Sequence, residues 1–125
     1  MKHTIDKQEK YSLLKLKEEK LTTGIAPELK SLLVVINNGG VNNIILDLSE
    51  TRYCDSSGLS AILVGNRLCK NSNGSFVLTG IKDSVRKIIK ISQLDRVLMM
   101  SPTVSEGVDL IFMEEIEREL HNGVK

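Results

Sequence analysis

The sequence predicts an α/β fold: a four- to five-stranded mixed sheet, mostly parallel at its centre, packed with about four helices. Three observations carry this. Ile44-Ile45-Leu46 and Phe76-Val77-Leu78 are short continuous apolar runs, the pattern of strands buried on both faces. Apolar stripes at helical spacing lie between and after them. Clusters rich in Gly, Asn and Ser separate the two kinds of segment. Strands that alternate with helices favour a layered arrangement with parallel neighbours.

The elements follow in order as β-β-α-β-α-β-α-β-α. Residues 11–17 partly alternate and read as a strand, with Leu14 and Leu16 on the face opposite Leu13 and Lys15. Residues 4–7 can pair with it across a turn at 8–10. Thr22-Thr23-Gly24 breaks the chain before a helix whose first turn accommodates Pro27. Leu29, Leu32, Leu33 and Ile36 give that helix its stripe, and Asn37-Asn38-Gly39-Gly40 ends it. Residues 41–48 form the next strand. A short loop over residues 50–54 leads to a second helix lined by Leu59, Ile62, Leu63 and Leu68. Asn71-Ser72-Asn73-Gly74 is a turn, and residues 75–79 return as a strand. Residues 84–91 read as a helix with Val85, Ile88 and Ile89 inward and Arg86, Lys87 and Lys90 outward. Val97-Leu98-Met99 reads as the last strand. Ser101-Pro102-Thr103 then starts the final helix, with Thr103 and Glu106 placed for a capping box. Val104, Val108, Ile111, Phe112, Ile116 and Leu120 form one long apolar stripe along it.

Bulk properties narrow the function. A chain of 125 residues fits one domain over 1–125, and no repeat or linker divides it. Its apolar fraction of 41% supplies a core that must be aliphatic, because aromatics are only 3%. A net charge of +1 with no basic cluster argues against nucleic acid as a partner. Cys54 and Cys69 are too few for a disulfide framework and read as structural thiols. Residues 1–10 are polar and lack an apolar signal-peptide segment, and no apolar run is long enough for membrane insertion. The expected location is cytoplasmic.

Catalysis finds little support. His3 and His121 are the only imidazoles and lie at the two ends, without further ligands at metal-binding spacing. The Gly-x-Ser-x-Gly elbow and the glycine-rich phosphate loops are absent. No catalytic residue, metal or cofactor is therefore expected, and the chain reads as a non-enzyme.

The informative stretch runs from Leu46-Asp47-Leu48 to Asp55-Ser56-Ser57-Gly58-Leu59. A buried strand ends, a short loop crosses, and small polar residues open a helix. Asp55 or Ser56 serves as an N-cap. Helix N-termini also favour negative charge, so a phosphate on Ser56 would be accommodated there. Plain capping explains these residue types as well, and on the local chemistry alone it is the favoured reading. Leu59 would anchor a partner if exposed, although burial is the commoner fate of a leucine.

The stretch Ile44 through Leu59 resembles the signature of STAS domains, in which an apolar strand ending in Asp-Leu precedes an Asp-Ser-Ser/Thr-Gly-Leu loop. The Gly74–Gly80 segment resembles that family's following strand, and residues 84–94 its third helix. The resemblance implies an anti-sigma factor antagonist most directly. It implies that Ser56 is phosphorylated by a partner serine kinase that is also the anti-sigma factor. It further implies that a PP2C-type phosphatase resets the protein, and that Thr22, Thr23, Asp55, Ser57, Gly58 and Leu59 border the partner interface. As an alternative, the resemblance admits a constitutive interaction subunit of a sensory assembly or lipid-asymmetry transporter, without phosphorylation. A homodimer stays open. Thr22 stands where the family often has an Asp, Cys54 where a large apolar residue precedes the motif, and Ser92-Gln93-Leu94 where it has Ser-Gly-Leu.

Overall fold

The computed structural model describes residues 1–123. Strands β1 (His3–Lys7), β2 (Ser12–Leu16), β4 (Ile44–Asp47), β6 (Phe76–Thr79) and β7 (Met99–Ser101) form one sheet in the order β1-β2-β4-β6-β7. β1 and β2 are an antiparallel hairpin, and the other neighbours are parallel. Helices α1 (Ala26–Asn38), α2 (Ser56–Asn71), α3 (Asp83–Ile91) and α4 (Val104–Gly123) occupy the connections and the C-terminal end.

The apolar runs of β4 and β6 are continuous because both of their faces are covered. On one face Leu14, Leu16, Ile44, Leu46, Phe76 and Leu78 meet Leu29 and Leu33 of α1, Ile62 of α2, and Val85 and Ile89 of α3. On the other, Ile45 and Val77 meet Ile111 of α4 in a smaller cluster that Tyr11, Leu13, Val104 and Val108 complete. β2 alternates as expected, with Leu14 and Leu16 buried and Leu13 and Lys15 half-buried. Asn43 bridges the strand starts. Its amide nitrogen donates to the Lys10 carbonyl and its side-chain oxygen accepts from the Ser75 amide, each at 2.8 Å. That satisfies backbone groups where the ladders begin.

Two expectations need correction. The last strand lies at Met99–Ser101, two residues beyond 97–99, because a single 3₁₀ turn over Leu94–Arg96 consumes the chain first. Val97 is left exposed on that turn and Leu98 drops into the main core. Ser101 thus ends a strand, while Thr103 alone caps α4, its hydroxyl accepting from the Glu106 amide at 3.2 Å. Helix α3 starts at Asp83, and the Ser84 hydroxyl instead donates to the Arg52 carbonyl at 2.6 Å. The stripe of α4 is not continuous in its burial: Ile111 is fully covered, whereas Phe112, Ile116 and Leu120 face outward.

Gln93, directly after the C-cap of α3, has φ of 61° and ψ of 18°. This is the left-handed conformation that helix endings assign to glycine. A side chain is strained there, and Gln93→Gly removes the strain at the cost of extra freedom in the unfolded chain. The expected outcome is a net stabilisation of up to about 1 kcal/mol, read as a higher urea midpoint at unchanged slope. A lowered midpoint would contradict it.

Candidate functional site

The site is assembled from two chain segments that the main sheet does not join. Lys20–Leu21 (β3) and Tyr53–Cys54 (β5) form a separate two-stranded parallel ladder. Neither segment carries a periodic signal, and residues 50–54 read as loop. The ladder is supported at its edges. The Glu19 carbonyl accepts from the Arg52 and Tyr53 amides at 2.7 and 3.1 Å, and the Leu21 carbonyl accepts from the Asp55 amide at 3.2 Å. Thr51, fully buried, donates its hydroxyl to the Glu18 carbonyl at 2.9 Å. The segment before α1 and the segment before α2 are thereby held side by side.

Asp55 is the N-cap of α2. Its extended backbone (φ −94°, ψ −174°) points the carboxylate back over the helix, and Oδ1 accepts from the Gly58 amide at 2.9 Å. Its other oxygen, Oδ2, accepts from the Thr23 amide at 3.3 Å and the Thr23 hydroxyl at 3.4 Å. The Thr23 and Ser57 hydroxyls lie 3.1 Å apart. One carboxylate therefore ties the loop before α1 to the first turn of α2. The Gly58 bond, partly offset by desolvation and reinforced by Thr23 and Ser57, holds the Asp55 carboxyl below its ordinary range. At neutral pH the site carries a fixed negative charge.

The structure brings Thr23, Asp55, Ser56 and Ser57 together at one end of the molecule. Ser56, the first residue of α2, is exposed, and its hydroxyl makes no hydrogen bond among the described residues. Ser57 is half-buried and engaged with Thr23. Thr22 is half-buried and contributes its carbonyl, which accepts from the Ile25 and Ala26 amides at 2.9 and 2.8 Å. Gly58 and Leu59 do not reach the surface. Leu59 is 8% exposed and belongs to the main core. Gly58 is buried, and a Cβ there would strike the Leu21 carbonyl and come within 2.6 Å of the Cys54 sulfur. These two residues shape the loop from beneath rather than present it to a partner. Leu21, Thr51 and Ser84, which also position it, were missed because nothing in their local sequence links them to the motif.

Cys54 lies under this loop and Cys69 in the helix behind it, both buried and unpaired. Burial pushes both thiols up to about 12, and the Asp55 carboxylate adds to the effect at Cys54. A thiolate is the reactive form. Neither cysteine in the folded protein should therefore react with a disulfide reagent at pH 8, and both should react in urea. Fast labelling of native Cys54 would refute this. Asp55 titrates with a lowered value in the folded state, so its contribution to stability is complete above the unfolded range near ~3.9 and is lost as pH falls through the folded value. The stability gap between wild type and Asp55→Ala should be widest at neutral pH and close in strong acid. A gap independent of pH would contradict it.

Comparison with known proteins agrees with this architecture. Residues 4–107 match the family model described as STAS domain. A Thermotoga maritima protein named as a candidate anti-sigma factor antagonist is 32% identical over 82 residues, covering 66% of this chain and 68% of that one. A crystal structure of a candidate anti-sigma factor antagonist from the same organism superposes with a TM-score of 0.77 at 24% identity, covering 87% of this chain and 93% of that one. The phosphorylated form of the Bacillus cell fate determinant SpoIIAA has the same fold, with a TM-score of 0.67 at 20% identity over 88% and 99% of the two chains. Among the described residues no helix is long and apolar enough to cross a membrane. The chain belongs to the STAS domain family, and the curated Thermotoga relatives it matches are named as candidate anti-sigma factor antagonists.

Proposed function

We propose that this protein is an anti-sigma factor antagonist-like binding switch, controlled by phosphorylation of Ser56. The reading rests above all on the Ser56 hydroxyl, which is exposed and uncommitted on the first turn of α2 while its neighbours Thr23, Asp55 and Ser57 are tied to one another. In the unmodified state the partner, an anti-sigma factor that is also a serine kinase, docks on the loop formed by Thr22, Thr23 and residues 55–57. Gly58 and Leu59 support that loop from below. The kinase phosphorylates Ser56 and a PP2C-type phosphatase resets it. The protein acts in the cytoplasm and turns over no substrate of its own.

The chemistry of the switch follows from charge. A phosphate brings roughly −1.5 to −2 charges and three strong acceptors. The amides at the start of α2 and the helix dipole favour it. Asp55, held ionised, does not. The modified loop is thus a concentrated anionic patch where a single carboxylate stood among uncharged hydroxyls. A partner that fits the unmodified loop must then desolvate unpaired charge, which costs several kcal/mol. Thr22, uncharged at a position the resemblance associates with an acidic kinase contact, favours a second reading. In that reading the same loop is a constitutive docking surface in a sensory or lipid-asymmetry transporter complex.

Two measurements separate these readings. In protein purified from its native cells, the tryptic peptide 53–67 should carry phosphate localised to Ser56 rather than Ser57 or Ser60. Binding to the partner kinase should fall by about 100-fold or more for Ser56→Asp and stay within a few-fold for Ser56→Ala. Equal binding by the two variants, with an unmodified peptide, would leave only the constitutive surface.

A further inference from the structure

Helix α4 has one side fastened to the sheet and an apolar side that faces outward. Phe112 is 40% exposed, Met113 58%, Ile116 57% and Leu120 64%. The fastened side is specific. The Ser75 hydroxyl donates to Glu114 Oε1 at 2.7 Å, and Arg118 Nη1 donates to Ser75 Oγ at 3.2 Å. At about 100° per residue, Glu114 and Arg118 lie on the side of the helix away from Ile116. The helix cannot roll its outer apolar face inward without breaking those bonds and withdrawing Ile111 from its cluster. Four large apolar side chains on one face of a helix mark an interaction surface more often than chance exposure.

The charges around that face are acidic. Glu119 flanks it on one side and Glu106 and Glu117 on the other, while Asp109 continues the line of Ile116 toward the helix start. All four are exposed, and none takes part in an ion pair among the described residues. We propose that this face of α4 docks a basic amphipathic helix of a partner protein. Phe112, Met113, Ile116 and Leu120 receive its apolar stripe, and Glu117 and Glu119 receive its Lys or Arg side chains. A second copy of this chain fits poorly, because any two-fold pairing of the helix sets acid against acid on the flanks. An anionic lipid surface would be repelled by the same charges. The face lies across the sheet from α2, so occupation of α4 leaves the Ser56 loop accessible. The inference is independent of the phosphorylation reading.

The test uses the full chain and a fluorescein-labelled peptide of about five helical turns, built only from Leu and Lys with Leu at i, i+3, i+4 and i+7. A Leu/Glu peptide of identical pattern is the control. Anisotropy should show saturable binding of the Leu/Lys peptide, and amide chemical shifts should map it to α4. Met113→Ser with Ile116→Ser should weaken binding by about tenfold or more. Glu117→Lys with Glu119→Lys should transfer the preference to the Leu/Glu peptide. Ser56→Asp should change nothing. The substituted residues are exposed, and thermal unfolding checks that each variant folds. Shifts that map elsewhere, or a preference untouched by charge reversal, would overturn the proposal. So would a wild-type dimer in sedimentation that Ile116→Ser dissolves, since a second copy would then hold the face.

Discussion

Ile44, Ile45 and Leu46 are fully buried, so the hydrogen-bonding needs of β4 must be met by its neighbours. β2 on one side and β6 on the other supply the partners in register, Ser12 and Phe76 opposite Ile44, Lys15 and Thr79 opposite Asp47. An unpaired amide there would cost as much as a well-packed side chain contributes. This requirement fixes the order of the sheet. It also decides that helices must cover both faces, since Ile44 and Leu46 point one way and Ile45 the other. The chain leaves β4 at a defined place, and the loop that follows can be shaped to within a hydrogen bond.

That loop depends on a second, much smaller piece of β structure. The β3–β5 ladder pairs only Lys20 with Tyr53 and Leu21 with Cys54. Together with Asp55 it makes two distant segments behave as one surface. Thr23 and Ser57 are 34 residues apart in sequence, yet their hydroxyls are within hydrogen-bond distance. A partner that grips one segment therefore feels any displacement of the other. The close approach of Gly58 to Leu21 and Cys54 explains why the motif has no side chain at that point, quite apart from any role in recognition.

The fold was legible because its strongest constraints are local. Continuous apolar strands, amphipathic helices and turn clusters each repeat a simple pattern over several residues. A cap at Asp55 or Ser56 was legible for the same reason, since capping needs only the residue and the three that follow, and the structure assigns it to Asp55. The ladder was not, because two-residue strands have no period to detect. Leu59 belongs both to the motif and to the stripe of α2, and only the packed structure shows that the core claims it. The last strand shifted by two residues because Val97 and Leu98 look like strand residues while Gln93 bends the chain into a left-handed turn. The stripe of α4 was legible as one apolar face, but sequence alone does not reveal where the sheet beneath a helix ends, and so which part of the stripe is covered.

The order of the sheet has a consequence for the way the protein is made. After the N-terminal hairpin, β4, β6 and β7 are added in the same sequence in which a ribosome delivers them, each on the free edge of the one before. The nascent sheet grows in one direction only. When Phe76–Thr79 has emerged and Met99–Ser101 has not, the most apolar edge of the molecule is open, and Val77 still lacks the helix that will cover it. Exposed strand edges recruit other chains. The period of greatest aggregation risk is thus the interval in which α3, the 3₁₀ turn and β7 are being synthesised, and it ends when the first turns of α4 settle across the sheet.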